Sequence, residues 1–277
     1  MNKLPLLVLA LLLAVTARAT LRTDIEYGTA GGESLKLDVS VPDGAGPFPA
    51  VILVHGGGWN GGDKSGGPQK GYMAPMHAPL EKAGFAWFSI NYRLAPKHRY
   101  PACIEDVETA IRWVKANAAE YHIDPARIVL AGESAGGHLV ALAAVRMTEA
   151  TRVAAFVPFY GRHDLVGAML PSERLPKNLG ELFGSEVLDA ATEARLREAS
   201  PLDHVRSGLP PFLLVHGTAD ASVPYSQSVA LAARLTVSGV ACDLIMIKDG
   251  VHGMINWNKV APDYPDQVIA WLRKTLK

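Results

Sequence analysis

The sequence has no excess of charge of either sign, because its 277 residues include 27 lysines and arginines and 27 aspartates and glutamates. A neutral chain is not expected to bind nucleic acid by neutralising phosphates, since that binding depends on accumulated positive charge. Charged residues make up only 19% of the chain and hydrophobic residues 49%, a composition that excludes wholesale disorder. The length suits one large α/β domain or two small ones.

Cysteine is scarce, and no cluster of histidine and cysteine shows the spacing of metal ligands. We therefore predict no metal and no other cofactor. The two cysteines, Cys103 and Cys242, are predicted to lie near the start of a helix and of a strand far along the chain. The sequence leaves open whether they pair or remain separate thiols. No stretch beyond the first twenty residues is long and apolar enough to span a bilayer.

The first nineteen residues have the three parts of a secretory signal peptide. Lys3 provides positive charge, residues 4–15 form an apolar run, and Ala17-Arg18-Ala19 is a small-x-small cleavage site before Thr20. The apolar run is shorter than the ~20 residues that a membrane span needs, which disfavours an uncleaved anchor. We predict cleavage near Ala19-Thr20 and an exported protein, periplasmic or secreted, that keeps no membrane anchor.

Apolar runs typical of strands alternate with amphipathic stretches from about residue 35 to the end of the chain. We predict strands within 35–41, 50–54, 85–91, 128–131, 153–159, 212–215 and 244–247, and helices within 104–118, 139–145, 229–235 and 268–276. Such alternation predicts an α/β fold with a mostly parallel sheet of about eight strands, flanked by helices. We expect one domain over residues 20–277, with an insertion at about 161–208 over the sheet that includes a short helical run near 189–199.

A serine lies between a predicted strand and a predicted helix, in the sequence Gly132-Glu133-Ser134-Ala135-Gly136. Acyl transfer needs a hydroxyl that projects from a sharp strand-to-helix turn, and small residues two positions to either side relieve the crowding there. The N–H groups at the start of the helix point toward the reacting centre. The pattern predicts that Ser134 is a catalytic nucleophile and that the N–H of Ala135 belongs to an oxyanion hole.

A second motif, His55-Gly56-Gly57-Gly58-Trp59, follows another buried strand. Glycines leave backbone N–H groups open to a ligand, as an oxyanion hole requires, and the lysine and Ser/Thr of a nucleotide-binding loop are missing. We assign the remaining oxyanion donors to the N–H groups of Gly57 and Gly58. Trp59, next to these glycines, and His163 are candidates to line the substrate pocket.

His252 is the predicted general base, because its glycine-flanked loop follows the last predicted strand and can reach the carboxyl end of the sheet. Asp220, just after the strand at 212–215, is predicted to orient the imidazole. Asp249 is the alternative acid, but it lies only three residues from His252, and so tight a loop seldom gives the required geometry. The order Ser134, Asp220, His252 matches that of α/β-hydrolases.

Eight other histidines compete for the role of base. His55 and His138 belong to the two motifs above and are expected to brace loops. His216 follows the strand at 212–215 and is expected to be a structural partner. The remaining five are expected to be solvated or satisfied locally.

The serine and glycine motifs resemble those of α/β-hydrolase esterases and lipases, as do the segment 216–224 and the sequence Asn91-Tyr92-Arg93-Leu94-Ala95-Pro96. The resemblance is to the hormone-sensitive-lipase-like group and to the bacterial feruloyl- and acetyl-xylan-esterase-like group in particular. The resemblance covers nearly all of residues 25–277. It implies a carboxylesterase with Ser134, Asp220 and His252 as its triad, acting on short-chain esters or on acetyl or feruloyl esters of plant polysaccharides.

Two departures from the hormone-sensitive-lipase-like pattern favour the exported carbohydrate-esterase-like branch. Strand-like sequence begins soon after the signal peptide, where those enzymes usually have a helical cap. Asp220 is followed by Ala-Ser-Val-Pro, whereas the acid of those enzymes usually lies in an Asp-Pro-Leu context. No large apolar lid is evident, which argues against a lipase.

Three other functions remain open. A serine peptidase of the prolyl-oligopeptidase type shares the serine motif and the triad order but usually carries a large accessory domain. An amide hydrolase of the formamidase type shares the pattern His-Gly-Gly-x-Trp. A non-catalytic binding module on the same fold would typically have lost its nucleophile or its base, whereas Ser134 and His252 are both present. The sequence does not indicate the oligomeric state.

Overall fold

The computed structural model describes residues 19–65, 73–167 and 174–277. All of the predicted signal peptide except Ala19 lies outside these residues, as does the part of the predicted insertion from 168 to 173. Among the described residues, no helix combines the length and the apolar character that crossing a membrane requires.

Eight strands form one sheet in the order β1-β2-β4-β3-β5-β6-β7-β8. They are β1 (Ala19–Ala30), β2 (Glu33–Pro42), β3 (Phe48–Val54), β4 (Ala86–Ile90), β5 (Ile123–Glu133), β6 (Ala155–Phe159), β7 (Phe212–Gly217) and β8 (Cys242–Ile247). Strand β2 runs antiparallel to both of its neighbours, β1 and β4, and all other neighbouring pairs are parallel. The predicted mostly parallel sheet of about eight strands is confirmed.

Seven α-helices lie in the described part of the chain: α1 (Ala74–Lys82), α2 (Ala102–Ala116), α3 (Ala135–Arg146), α4 (Lys177–Phe183), α5 (Ala190–Glu198), α6 (Ser226–Val237) and α7 (Tyr264–Thr275). The four predicted helices correspond to α2, α3, α6 and α7. Helices α4 and α5 lie within the predicted insertion, and α5 matches the short helical run expected there.

Alternate residues of the central strands face two separate apolar layers. Ile52 and Leu130 pack in a core cluster with residues of α2 to α6. Val51 and Val129 pack in a second cluster, with α1 and α7. Because both faces of the sheet are covered, the central strands are continuous apolar runs, and such runs can be found in a sequence.

Outside the insertion, the prediction missed β1 and α1, and both omissions have a physical reason. In β1 only Tyr27 is buried, because the strand lies at the edge of the sheet and pairs with β2 alone. Helix α1 contains Pro79 in its interior and buries only Met76 and Leu80. Neither segment therefore shows a clear apolar period.

The two cysteines stay separate in this fold. Cys103 is buried in α2, Cys242 is half-buried at the start of β8, and both are free thiols. Of the two alternatives that the sequence left open, the structure has the unpaired one.

The carboxyl ends of β3, β5, β7 and β8 lie at one edge of the sheet because these strands run parallel. The glycine-rich loop follows β3, Ser134 follows β5, Asp220 follows β7 and His252 follows β8. In open α/β sheets this edge is where ligands bind. The fold thus brings four distant parts of the sequence to one place.

Candidate active site

Ser134 joins β5 to α3 in a strained turn. Its backbone angles are φ 54° and ψ −116°, a conformation that non-glycine residues rarely adopt. The Ser134 N–H donates to the carbonyl of Phe159 on β6, over 3.0 Å. A Cβ atom on Gly136 would lie 2.1 Å from the carbonyl oxygen of Val54, so the start of α3 approaches β3 more closely than any side chain allows. This close packing holds the serine hydroxyl out at the sheet edge.

Three predicted side chains form a hydrogen-bonded series at this edge. The Nε2 atom of His252 lies 3.0 Å from the Oγ of Ser134, and its Nδ1 atom lies 2.7 Å from the Oδ2 of Asp220. Asp249, the alternative acid, is instead exposed, and its N–H donates to the Thr218 hydroxyl over 2.9 Å. The geometry allows His252 to take a proton from Ser134 while Asp220 fixes the imidazole.

Asp220 is buried, and both of its carboxylate oxygens are engaged. The Oδ1 atom accepts the N–H groups of Ser222 (2.8 Å) and Val223 (2.9 Å). The Oδ2 atom contacts His252 and lies 3.4 Å from the Nε2 of His216. Burial opposes ionisation, but the hydrogen bonds from the two histidines and from the Val223 N–H hold the pKa of Asp220 well below its usual range. Asp220 is therefore a carboxylate at neutral pH and can stabilise a protonated imidazole.

His138, which was expected to brace a loop, and His216, which was expected to be a structural partner, both make buried hydrogen bonds. The Nε2 atom of His138 lies 2.7 Å from the carbonyl oxygen of Ala199, and its Nδ1 atom accepts the indole N–H of Trp59 over 3.2 Å. His216 lies 2.7 Å from the hydroxyl of Ser228 through its Nδ1 atom. These contacts tie α3 to neighbouring loops and β7 to α6.

Trp59 and His163, the candidates for lining a pocket, are both buried. Trp59 is 3% exposed and packs in the core, where the chain turns with a φ of 62°. The His163 ring is fully buried, and neither ring nitrogen has a hydrogen-bond partner in the described part of the chain. Neither ring offers surface to a ligand in this structure, so the expectation drawn from the position of Trp59 beside the glycines is not supported.

Gly57 and Gly58 form a tight turn after β3. Their φ angles are 97° and 63°, which favour glycine, and the Gly57 carbonyl accepts the N–H of Gly61 over 3.0 Å. Across the described segments, the N–H groups of Gly57, Gly58 and Ala135 have no protein acceptor. These three donors are available to an anionic oxygen. The same segments contain no group of three His, Cys, Asp or Glu side chains that could hold a metal ion.

The sequence analysis did not single out Glu133, which lies beside the nucleophile and is 1% exposed. Its Oε1 atom accepts the N–H of Gly56 over 2.5 Å. A Cβ atom on Gly56 would lie 2.0 Å from that oxygen, so Gly56 is glycine because the carboxylate occupies the space. A charged residue at the end of a buried strand was the available signal, since such a charge needs partners in the protein.

Tyr160 contacts the loop of the predicted base and lies near Glu133. Burial and the nearby Glu133 carboxylate raise the pKa of its hydroxyl, which accepts the N–H of Met254 over 3.0 Å. Its ring lies edge-on to the His252 ring, with 5.0 Å between ring centroids. Glu133 therefore joins the glycine turn to the serine turn, and Tyr160 holds the His252 loop beside them.

Residues 37–235 match the family model named BD-FAE. The chain belongs to the BD-FAE family. It is 36% identical over 232 residues to Esterase LipQ of Mycobacterium tuberculosis (strain ATCC 25618 / H37Rv), which covers 79% of this chain and 53% of that protein. It is 33% identical over 230 residues to Carboxylesterase NlhH of the same species, and the match covers 78% of this chain and 69% of that protein. The chain spans about half the length of the first curated relatives it matches.

Solved structures show the same fold. A truncated carbohydrate esterase from gut microbiota is 27% identical with a TM-score of 0.79, over 92% of this chain and 96% of that one. Thermogutta terrifontis esterase 2 phosphoramylated by tabun is 25% identical with a TM-score of 0.74, over 93% of this chain and 94% of that one. This BD-FAE member therefore has the α/β-hydrolase fold that its motifs implied.

The buried histidines give the stability of the fold a defined pH dependence. Burial lowers the pKa of His55 and of His138 to about 4, whereas an unfolded histidine titrates near ~6.5. Between these values the unfolded chain binds more protons than the folded one, so we expect the free energy of unfolding to fall as pH drops from about 6.5 to about 4. Denaturant unfolding at a series of pH values measures this slope.

The variant His138→Gln should show a shallower slope over this range, because one of the buried rings whose pKa is lowered is gone. His204→Gln is the matched control, since His204 is exposed, and it should keep the wild-type slope. The same slope in His138→Gln as in the wild type would contradict the assignment.

The Tyr160 hydroxyl is expected to stabilise the fold. In Tyr160→Phe the buried Met254 N–H loses its partner, which should lower the free energy of unfolding by about 1–3 kcal/mol. Tyr264→Phe is the control, because the buried Tyr264 hydroxyl has no hydrogen-bond partner in the described part of the chain, and its removal should cost nothing. Equal losses in the two variants, measured by urea unfolding, would refute the stabilising role of the Tyr160 hydroxyl.

Proposed function

We propose that the protein is a serine carboxylic-ester hydrolase that acts through an acyl-enzyme on Ser134. The observation that carries the proposal is the series Asp220–His252–Ser134, with contacts of 2.7 Å and 3.0 Å, beside backbone N–H groups available to an oxyanion. Membership of the BD-FAE family supports the proposal, as do relatives named esterase and carboxylesterase.

In the proposed reaction the Ser134 Oγ attacks the ester carbonyl carbon while the Nε2 of His252 accepts the hydroxyl proton. Asp220 accepts a hydrogen bond from Nδ1 and stabilises the imidazolium. The N–H groups of Gly57, Gly58 and Ala135 bind the oxyanion of the tetrahedral intermediate. His252 then protonates the leaving alcohol, and water attacks the acyl-serine by the same route to release the acid. No step requires a metal or an organic cofactor.

We infer that the substrates are small-molecule or polysaccharide-linked esters, with short-chain, acetyl or feruloyl acyl groups. A structural neighbour that is named a carbohydrate esterase supports this class. We also propose that residues 20–277 form one catalytic domain and that the protein is exported after cleavage of residues 1–19. A mature protein whose measured mass equals that of a chain beginning at Thr20 would support export. A mass that includes residues 1–19 would contradict it.

The measurement that tests the function is kcat/KM for p-nitrophenyl acetate and for methyl ferulate. Comparable values indicate a pocket that accepts bulky aromatic acyl groups, and hydrolysis of the acetate alone indicates a small acyl pocket. We expect Ser134→Ala to lower kcat by several orders of magnitude; loss of the nucleophile in subtilisin costs roughly 10⁶. Near-native turnover by Ser134→Ala would overturn the proposal.

Asp220 and Asp249 provide a matched pair of variants, because they are the two acids that the sequence offered. Asp220→Asn should lower kcat by about 10⁴, the scale of the same change in a serine protease, whereas Asp249→Asn should leave it nearly unchanged.

Three further measurements distinguish the alternative functions. Labelling of the wild type by a fluorophosphonate probe would exclude a binding module. Release of amine from dipeptide anilides without ester hydrolysis would favour the peptidase, and a preference for N-formylkynurenine would favour the formamidase.

A further inference from the structure

Arg162 is a charged residue beside the site that the proposed mechanism does not use. It follows β6, which pairs in parallel with β5 so that Phe159 lies opposite Glu133, the residue before Ser134. The intervening Gly161 packs against the first turn of α3, where a Cβ atom on it would lie 2.6 Å from a backbone carbon. The backbone of Arg162 thus lies at the same sheet edge as the nucleophile.

Most hydrogen-bond donors of the Arg162 guanidinium have no acceptor among the residues that the structure describes. A guanidinium has five N–H groups. In the described segments only one contact is made, from Nη2 to the Ser222 carbonyl oxygen over 3.2 Å, and no carboxylate lies within ion-pairing distance. Ser222 belongs to the loop of Asp220, so the guanidinium reaches the side of the site where the triad acid lies.

The charge of Arg162 is also poorly compensated. The side chain is half-buried, and this burial lowers its pKa, with Asp220 as the one group that favours the cation. Asp220, however, already accepts hydrogen bonds at both oxygens, from the histidines and N–H groups described above. A partly desolvated cation without an anion of its own is unfavourable for folding, and such imbalance is typical of a ligand site.

Other half-buried arginines of this structure are satisfied. Arg93 forms a two-pronged contact with the carboxylate of Asp106, with N–O distances between 2.8 and 3.0 Å. Arg195 likewise has no carboxylate partner within the described ranges, but it lies over the Phe183 ring, 5.4 Å from the centroid, and donates to the Phe183 carbonyl over 2.6 Å. Arg162 has neither a carboxylate nor an aromatic face among the described contacts.

We propose that Arg162 binds a carboxylate of the substrate, so that the preferred substrates are esters that carry a second, ionised carboxylate. The inference rests on the proposed esterase function and names its substrate class. A planar guanidinium pairs with a carboxylate through two parallel N–H···O bonds, which would hold the ester in one orientation beside Ser134. A hydrogen bond to a charged group of this kind corresponds to about a 10- to 100-fold gain in kcat/KM.

Two pairs of near-isosteric esters test the inference, one for each side of the ester bond. 4-Acetoxybenzoate and 4-acetoxybenzamide place the charged or neutral group on the leaving phenol. Monomethyl adipate and the methyl ester of adipic monoamide place it on the acyl part. The measured quantity is the ratio of kcat/KM for the charged ester to that for the neutral ester. This ratio cancels any general effect of a variant on catalysis.

In the wild type we expect a ratio of about 10 to 100 in at least one pair, falling as added salt screens the charges. Arg162→Gln should bring the ratio to about one, and Arg162→Lys should retain part of it, because a lysine keeps the charge but not the planar fork.

Arg206→Gln is the matched control: Arg206 is exposed and also donates to a single backbone carbonyl, that of Met147. It should leave the ratio unchanged. Thermal unfolding of each variant checks that it folds.

A wild-type ratio of one or less in both pairs, or the same ratio in Arg162→Gln as in the wild type, would overturn the inference. If the wild type hydrolyses no ester at all, the proposed function fails instead. Calorimetric binding of adipate and of 4-hydroxybenzoate then still tests Arg162. Weaker binding of either by Arg162→Gln than by Arg206→Gln would support the anion site, and equal or absent binding would refute it.

Discussion

The buried carboxylate of Glu133 is the interaction on which the rest of the site depends. It accepts the N–H of Gly56 in the glycine turn and directly precedes Ser134 in the serine turn. The Tyr160 hydroxyl, near the same carboxylate, accepts the N–H of Met254 in the His252 loop. Because a buried carboxylate is costly when its partners are missing, its contact with Gly56 holds the glycine turn against the serine turn.

The parallel sheet provides the second constraint, since it brings the ends of β3 and β5 side by side. The start of α3 fits against β3 only because Gly136 has no side chain, and the same contact keeps Ser134 in its strained conformation. The strain is maintained by packing on both sides of the turn, where the Ser134 N–H is bonded to β6. A hydroxyl held in this way needs no further movement to meet the imidazole of His252, which is already at hydrogen-bonding distance.

The sequence was sufficient to predict that Ser134, Asp220 and His252 lie close together, because each lies in a loop that directly follows a recognisable buried strand. Parallel strands turn that sequence position into spatial proximity, and the structure brings the three side chains together. Glu133 and Tyr160 could not be predicted in the same way. Their roles depend on partners 77 and 94 residues away, which no local pattern specifies. Burial likewise depends on the whole fold, so the sequence could not show that the ring of Trp59 packs in the core beside glycines that form the expected turn.

The site contains donors that lack acceptors and acceptors that are already satisfied. The carboxylates of Asp220 and Glu133 are both buried and hydrogen-bonded by the protein. In contrast, the N–H groups of Gly57, Gly58 and Ala135 and most N–H groups of the Arg162 guanidinium have no acceptor in the described residues. Such a surface favours a ligand that supplies oxygen acceptors and has few donors of its own. An ester with a second, ionised carboxylate supplies acceptors to both sets of donors: its carbonyl oxygen, which becomes an oxyanion, to the backbone N–H groups, and its carboxylate to Arg162. A neutral ester supplies an acceptor only to the backbone N–H groups.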